Sequence, residues 1–241
     1  MIVIPMAGLS SRFFKAGYDV PKYQLMLDAK TVFAHSLLSF EAYFASELFL
    51  IIIRDVYNTH DFVVRQLEHL AIKNYHICVL QNETQGQAHT VYLGLQSLAL
   101  TQDEPIYIFN IDTFRHDFVK PDLAQTCEGY LEVFRGEGEH WSFIEVDEND
   151  TVIRTTEKER ISDLCSDGLY YFKSAKLFQQ LFEFSQANRL HIKGELYIAP
   201  MYNLMIQQNM QVCYVLIELS QIDFCGTPDE YEALIKYSIQ Y

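Results

Sequence analysis

Apolar runs and helical patterns alternate along the first half of the chain. The short runs are rich in Ile, Val and Tyr and predict buried strands, whereas the stretches between them have the spacing of amphipathic helices. Strands are predicted at Met1–Met6, Leu48–Arg54, Tyr75–Leu80 and Pro105–Asn110, and helices at Thr31–Tyr43, Thr59–Ile72 and Gly86–Leu98. This order predicts a mainly parallel sheet covered on both faces, with ligands at the carboxyl ends of its strands.

The second half of the chain predicts a more mixed strand pattern. Tyr130–Phe134 and Trp141–Val146 predict a first hairpin around a polar turn, and Asp147–Asp150 predicts the turn of another. Further strands are predicted at Gly168–Phe172 and Val212–Ile217, and helices at Ala175–Glu183, Glu195–Gln208 and from a cap at Thr227-Pro228-Asp229-Glu230. No linker divides the chain, so we predict one compact α/β domain.

Charge and cysteine content indicate which binding partners and which cellular compartment are compatible with this chain. The net charge of −14 argues against a nucleic-acid surface, yet it is compatible with one nucleotide, whose phosphates need only two or three cations. The five cysteines are odd in number and form no CxxC pair, which favours a reducing compartment. The first strand follows no basic leader, and runs such as Leu48–Ile53 are too short to cross a membrane. We therefore expect a cytoplasmic protein with neither nucleic-acid nor membrane partners.

The segment after the first strand carries the strongest candidate chemistry. Small residues there let the backbone turn its N–H groups toward a ligand, and a guanidinium and an ammonium follow within the next turns. The residues concerned are Ala7, Gly8, Leu9, Ser10, Ser11, Arg12 and, after Pro21, Lys22. Spacing alone fits a phosphate cradle and a tight β–α turn with two surface cations equally well.

Two aspartates are candidates for a metal site. Asp112 follows a predicted strand on the ligand side of the sheet, and Asp223 lies shortly before a helix. Two carboxylates with phosphate oxygens and water suit octahedral Mg²⁺. A turn-capping role for Asp112 and a helix-dipole role for Asp223 are the alternatives.

A family resemblance changes the balance between these alternatives. Ala7-Gly8-x-Ser10-Ser11-Arg12, followed by Pro21-Lys22, resembles the A-G-x-G-S/T-R…P-K signature of the sugar-phosphate nucleotidylyltransferases. Ser10 departs from the glycine of many members, although serine also occurs there in related guanylyltransferases. The resemblance implies a GT-A-like Rossmann domain, with Arg12 and Lys22 catalytic and the loop binding nucleotide.

Further segments resemble the family in the same order along the chain. Gln81 and Gly86-Gln87 resemble the base-contacting stretch, and Asp112 resembles the aspartate that binds magnesium. On the acceptor side, the positions similar to the family's motifs are Glu157, Lys158, Gly168 and Glu195. Lys193 is a further candidate for binding the acceptor phosphate. Ile222-Asp223-Phe224-Cys225-Gly226-Thr227-Pro228 resembles the closing W-x-D-x-G-T-P motif, which would make Asp223 the second metal ligand. The tryptophan is missing, however, and one extra residue separates Asp223 from Gly226.

The function implied by this resemblance is nucleotidyl transfer with Mg²⁺. The partners would be a nucleoside triphosphate, with CTP or dTTP favoured, and a phosphorylated sugar or another small phosphomonoester. Residues 1–115 of the single domain 1–241 would bind nucleotide, and residues 116–241 would bind acceptor. The route implied is synthesis of capsule or lipopolysaccharide precursors, and a homo-oligomer is compatible with it. Two alternatives stay open: a GT-A glycosyltransferase, and an inactive nucleotidyltransferase-like regulatory subunit.

Overall fold

The structure is a computed structural model that describes residues 1–98, 100 and 102–238. The predicted domain, 1–241, thus includes residues 99, 101 and 239–241, which lie outside the described ones. In chain order the strands are β1 (Ile2–Met6), β2 (Met26–Leu27), β3 (Lys30–Thr31), β4 (Phe49–Arg54), β5 (Tyr75–Leu80), β6 (Ile106–Ile108), β7 (Thr113–Arg115), β8 (Gly129–Arg135), β9 (Ser142–Val146), β10 (Val152–Glu157), β11 (Leu164–Phe172), β12 (Val212–Ile217) and β13 (Ile222–Phe224). The α-helices are α1 (Ser11–Lys15), α2 (Val32–Leu38), α3 (Thr59–His69), α4 (Gln87–Gln96), α5 (Ala175–Ala187), α6 (Tyr202–Gln207) and α7 (Pro228–Ser238).

A mixed sheet forms the centre of the molecule. Its principal order is β10-β9-β11-β6-β1-β4-β5, with β8 beside β11 and β12 beside β8. Strands β6, β1, β4 and β5 are parallel, and β11 joins them antiparallel to β6. The predicted α/β fold class, a mixed and mainly parallel sheet flanked by helices, is confirmed.

Both faces of β1, β4 and β6 are buried, which explains why their sequences are continuously apolar, whereas the edge strand β5 is only partly buried. Side chains alternate along a strand, so Ile2 and Ile4 enter one core while Val3 enters the other. Helices α2 and α3 cover the Ile2 face, and α4, α5 and α6 cover the Val3 face. The strands therefore lie between two helical layers, and their carboxyl ends open to one edge of the sheet.

Two predictions in the second half need correction. The runs at Tyr130–Phe134 and Trp141–Val146 do form strands, β8 and β9, but they do not pair with each other as a hairpin. Both pair with β11 instead. The hairpin of β9 and β10 around Asp147–Asp150 forms as predicted.

The predicted helix Glu195–Gln208 is also too long. Lys193 and Gly194 adopt positive φ angles, and Ile192 bridges Glu195, so the chain is not helical there. A 3₁₀ turn at Ala199–Met201 precedes the short α6. The helix predicted at Thr31–Tyr43 likewise ends at Leu38 and is followed by a separate 3₁₀ turn at Glu41–Tyr43.

A small ribbon of β7 and β13 had no clear signal in the sequence. Its register pairs Asp223 with Phe114 and Phe224 with Thr113. The cap of α7 does form as predicted, because Thr227 Oγ1 accepts from the amide of Glu230 (3.3 Å) and Glu230 Oε2 accepts from the amide of Thr227 (2.8 Å). None of the helices in the described ranges is long and apolar enough to span a membrane. All five cysteines are free thiols.

Candidate functional site

A cavity of about 610 Å³, which we call the main cavity, opens at the carboxyl ends of β1 and β6. It brings together most of the site residues predicted from the sequence. Those that line it are Gly8, Leu9, Ser10, Ser11, Arg12, Lys22, Gln87, Asp112, Glu157, Gly168 and Glu195. A second, smaller cavity of about 390 Å³ adjoins it, and Ala7 and Gly86 line this one. Gln81, Lys158, Lys193 and Asp223 line neither cavity.

The loop after β1 is held by its own backbone conformation and by one side chain. Ser10 lies in the left-handed region, with φ 52° and ψ 31°, where glycine is favoured over other residues. The departure from glycine noted in the sequence therefore falls at a position that carries strain. Ser10 Oγ accepts a hydrogen bond from the amide of Lys22 at 3.1 Å. The serine thus ties the turn that carries Lys22 to the loop.

The charged groups around this loop line the cavity together. The ammonium of Lys22 forms an ion pair with Asp112, and both side chains are about one-fifth exposed. Arg12 is exposed on α1, so its guanidinium is available to an anionic ligand. A β-carbon added to Gly8 would meet no atom within 4 Å, so the backbone here is open to close approach. The loop therefore offers cations and bare backbone to one region of the cavity.

Asn110 links three segments of the cavity and was not identified from the sequence. Its Oδ1 accepts a hydrogen bond from Gln87 Nε2 at 2.6 Å. Gly168, with φ +94°, lies against the same side chain, because an added β-carbon would be 2.7 Å from Asn110 Cγ. The predicted glycine thus makes room for an amide that positions Gln87.

Gly86 fixes the start of α4 against the acceptor-side loop. It has φ +110°, and a β-carbon there would lie 2.6 Å from the carbonyl oxygen of Leu196. The Leu196 amide donates to Gln85 O, and the Ala88 amide donates to Leu196 O. This contact places Glu195 beside Gly86 and Gln87 at the junction of the two cavities.

Glu157 and Lys158 lie on the far side of the main cavity. Burial raises the pKa of Glu157, and the charge of Glu195 adds to the effect, although bonding to Ser142 and Lys158 opposes it. Lys158 Nζ donates to Tyr197 OH at 2.6 Å and lies 3.4 Å from Glu157 Oε1. The predicted pair is therefore assembled, with the lysine behind the cavity wall. Lys193, by contrast, is exposed and outside it.

The two aspartates that were expected to share a metal ion line different cavities. Asp112 lines the main cavity, whereas Asp223 lines a different cavity of about 1090 Å³ and bonds to His116 Nε2 at 2.8 Å. Phe224, the next residue of β13, lines both cavities. Among the described residues no group of three or more His, Cys, Asp and Glu is arranged to hold a metal.

The motif itself contains the signal for this arrangement. In W-x-D-x-G-T-P the aspartate stands two residues before the glycine, and counting back from Gly226 reaches Phe224 rather than Asp223. The extra residue thus places Phe224 where the motif has its aspartate. A site built on Asp112 alone is compatible with Mg²⁺, which takes one or two carboxylates and completes its shell with substrate phosphates and water.

A buried cluster of charged groups behind the cavity was also missed. Arg115 Nε donates to Glu132 Oε1 at 2.6 Å, and both side chains are almost fully buried. Asp167 lines the cavity but is 2% exposed, and its Oδ2 has no hydrogen-bond partner among the described residues. Burial and the neighbouring Glu132 raise the pKa of Asp167 well above its usual range. One guanidinium therefore faces two carboxyl groups, an arrangement that only the folded chain reveals.

The chain is similar to several solved structures. A nucleoside-diphosphate-sugar pyrophosphorylase from Vibrio cholerae RC9 is 49% identical, with a TM-score of 0.95 over 98% of this chain and 100% of that one. A proposed glucose-1-phosphate thymidylyltransferase from Bacillus anthracis is 16% identical, with a TM-score of 0.78 over 100% of this chain and 95% of the other. The inositol-1-phosphate CTP transferase from T. maritima is 14% identical, with a TM-score of 0.73 over 98% and 94%. No protein-family model and no curated protein matches the chain.

The two distant structures show only that this chain shares their α/β fold. The close similarity to the V. cholerae protein goes further, since nearly half of the residues are identical over the full length of both chains. The chain belongs to the nucleoside-diphosphate-sugar pyrophosphorylase family of sugar-phosphate nucleotidyltransferases.

Proposed function

We propose that this protein transfers a nucleotidyl group from a nucleoside triphosphate to a small phosphomonoester and releases pyrophosphate. The observation that carries the proposal is the shared cavity. Arg12, Lys22 and the open backbone of Gly8 line it together with Glu157 and Glu195. A polyphosphate and a second substrate would thus meet in one place.

The reaction needs alignment and charge neutralisation more than a base, because the attacking phosphate oxygen is already anionic. That oxygen bonds to the α-phosphorus, the bond between the α-phosphorus and the bridging oxygen breaks, and pyrophosphate leaves. Arg12 would hold the β- and γ-phosphates. Lys22, now paired with Asp112, would turn to the α-phosphate as charge develops there.

Asp112 would hold Mg²⁺ together with substrate oxygens, and the ion would neutralise phosphate charge. When Lys22 turns to the phosphate, its ion pair with Asp112 breaks, and the Asp112 carboxylate would then be free to bind the ion. Asp223 faces the other cavity, so we assign it no part in metal binding.

The smaller cavity is the proposed base site. Its lining includes Gly86, Gln87 and Thr84, and Arg54 and Glu83 pair across it at 3.2 Å. Gln81 lies outside this lining, so we expect any contact with the base to come from Gly86 and Gln87. CTP and dTTP are the favoured nucleotides, and a product for surface polysaccharide synthesis is the favoured use, both from the family resemblance.

The test is pyrophosphate release with Lys22→Ala, compared with Lys15→Ala. Lys15 is an exposed lysine of α1 outside the cavity lining, so it reports the effect of removing charge alone. Loss of one preorganised cation at the developing charge costs about 100- to 1000-fold in kcat, and we expect that for Lys22→Ala. Unchanged turnover would refute the proposed role. Release of a free nucleotide from a sugar nucleotide would instead indicate a glycosyltransferase, and no turnover would indicate an inactive subunit.

A further inference from the structure

Strand β11 carries a bulge where it passes the main cavity. Its pairing with β8 shifts register between Ser166 and Tyr170. Residues 167–169 of β11 therefore lie opposite the single residue Glu132 of β8. Bulges recur beside active sites, where they redirect side chains. This one contributes residues 166–168 to the lining of the main cavity, so the shape of the bulge is also the shape of the cavity wall there.

The bulge seats the side chain that orients Gln87. Gly168, with φ +94°, makes room for Asn110, whose Oδ1 accepts from Gln87 Nε2 at 2.6 Å. Gln87 lines both the main cavity and the smaller one. Thr113 Oγ1 also donates to the carbonyl oxygen of Asp167 at 3.4 Å, which ties the bulge to β7. A change in the shape of the bulge would therefore displace Gln87 and the start of β7.

Asp167 stabilises the bulge through one of its two carboxyl oxygens. Its Oδ1 accepts from the amide of Leu169 at 2.9 Å, a bond that closes the turn over Gly168. The residue is 2% exposed, and its Oδ2 is buried with no partner among the described residues. A buried carboxyl oxygen without a partner costs stability. A proton on Oδ2 would satisfy it, provided that an acceptor lies within reach.

Glu132 provides that acceptor from the neighbouring strand. The register that pairs Ser166 with Val133 brings Asp167 opposite Glu132 at the next position. Like charges at opposite positions of an antiparallel pair destabilise it. Arg115 Nε donates to Glu132 Oε1 at 2.6 Å, so the guanidinium is already engaged by one of the two carboxyl groups. Two buried carboxyl groups in this relation hold one proton between them, because only one of them ionises readily.

We propose that Asp167 and Glu132 share one proton, and that this proton holds the β11 bulge in the shape that positions Gln87 for the nucleotide. Asp167 is thus a positioning residue, which acts through Asn110 and Gln87 and not on the substrate itself. The inference rests on the proposed function, which places the base beside Gln87 in the smaller cavity. Donation from Asp167 to Glu132 leaves one negative charge, and Arg115 balances it.

The charged and titratable neighbours of Asp167 favour this sharing. Burial and the charge of Glu132 raise the pKa of Asp167 well above its usual range, although Arg115 opposes the effect. Tyr130 and Tyr170 also interact with Asp167, and burial raises the pKa of both hydroxyls, so they stay neutral. As pH rises through the raised pKa, the proton is lost and two carboxylates face each other. The bulge should then open, and nucleotide affinity should fall.

Calorimetric titration with CTP and with dTTP, each with Mg²⁺, tests the proposal in two variants. Asp167→Asn mimics the neutral acid, because its Oδ1 can accept from Leu169 and its Nδ2 can donate to Glu132. Asp167→Ala removes both bonds. We expect the asparagine variant to bind within about threefold of wild type, and the alanine variant at least about tenfold more weakly, because it leaves buried partners unsatisfied. The control, Asp122→Asn, makes the same change at an exposed acid outside both cavity linings and should bind as wild type does.

The dependence on pH gives a second test. The dissociation constant of wild type should rise toward alkaline pH relative to that of Asp167→Asn, whose amide has no proton to lose. Titration of the nucleotide affects both proteins equally and cancels from the ratio. Infrared difference spectra of the two proteins should show the carbonyl band of a protonated carboxyl in wild type only.

The outcomes separate the two proposals. A ratio that stays constant with pH, equal losses in the asparagine and alanine variants, or an alanine variant that binds as wild type does overturns the inference and leaves the proposed function standing. No binding of either nucleotide by the wild-type protein overturns the proposed function. The infrared band decides the shared proton in either case, and its absence from the difference spectrum refutes the inference.

Discussion

Replacement of Ser10 tests the strain and the hydrogen bond that shape the phosphate loop. Ser10 has φ 52° and ψ 31°, and its Oγ accepts from the Lys22 amide at 3.1 Å. Ser10→Ala keeps the left-handed strain and loses the bond, whereas Ser10→Gly loses the bond but removes the strain. The two variants therefore separate two effects that the wild-type residue combines.

The magnitudes follow from these two terms. The left-handed conformation costs a non-glycine residue about 1–2 kcal/mol, and a hydrogen bond of this kind contributes about 1 kcal/mol net. Glycine also lowers the free energy of unfolding by about 0.5–1 kcal/mol, because it increases the conformational entropy of the unfolded chain. We expect Ser10→Ala to lower the free energy of unfolding by about 1 kcal/mol. We expect Ser10→Gly to stay close to wild type, because its gains and losses nearly cancel.

Urea unfolding followed by fluorescence of Trp141, the single tryptophan, measures both values, with equal m-values as the check on two-state behaviour. Both variants free the same Lys22 amide, so any loss of pyrophosphate release should be similar in the two despite their different stabilities. If Ser10→Ala were as stable as wild type, or more stable than Ser10→Gly, the account of this loop would be wrong.

Three further predictions concern the cavity. Gly8→Ala should change the free energy of unfolding by less than about 0.5 kcal/mol, since the added carbon meets open space. Its kcat/KM for pyrophosphate release should nevertheless fall at least about tenfold, because the carbon would stand where phosphates approach the backbone. Asp112→Asn should reduce pyrophosphate release at least about 100-fold, whereas Asp223→Asn should change it less than about threefold, since only Asp112 lines this cavity; equal losses would contradict the separation. Burial and Glu132 raise the pKa of Asp167, so the native state binds its proton more tightly and stability should fall as pH rises above about 4. Asp167→Asn should flatten that slope in unfolding measured from pH 5 to 8, and an unchanged slope would exclude this carboxyl as its source.

Much of the fold follows from local pattern. The strands at Tyr75–Leu80 and Val212–Ile217 lie where the sequence predicts them, because each is a short apolar run with clear polar boundaries. The cap at Thr227 is equally local, since its donors and acceptors are at most four residues apart. Features of this kind need no knowledge of the rest of the chain.

What could not be predicted depends on contacts between distant segments. The left-handed Gly168 is shaped by Asn110, and Gly86 is shaped by Leu196, so neither conformation can be derived from neighbouring residues. The separation of β8 from β9 has the same origin, since β11, later in the chain, lies between them. The cluster of Arg115, Glu132 and Asp167 likewise joins three strands that are remote in sequence.

The ribbon of β7 and β13 shows why the order of motifs alone does not determine a site. It lies between two cavities: Thr113 lines the one that contains the phosphate loop, His116 and Asp223 line the other, and Phe224 lines both. One residue more than in the W-x-D-x-G-T-P motif separates Asp223 from Gly226, so Phe224 stands where the motif has its aspartate. Asp223 lies 2.8 Å from His116 Nε2, while Phe224 packs against Trp141 with ring centroids 4.7 Å apart. The spacing within the motif therefore says more about the position of Asp223 than the order of the motifs does.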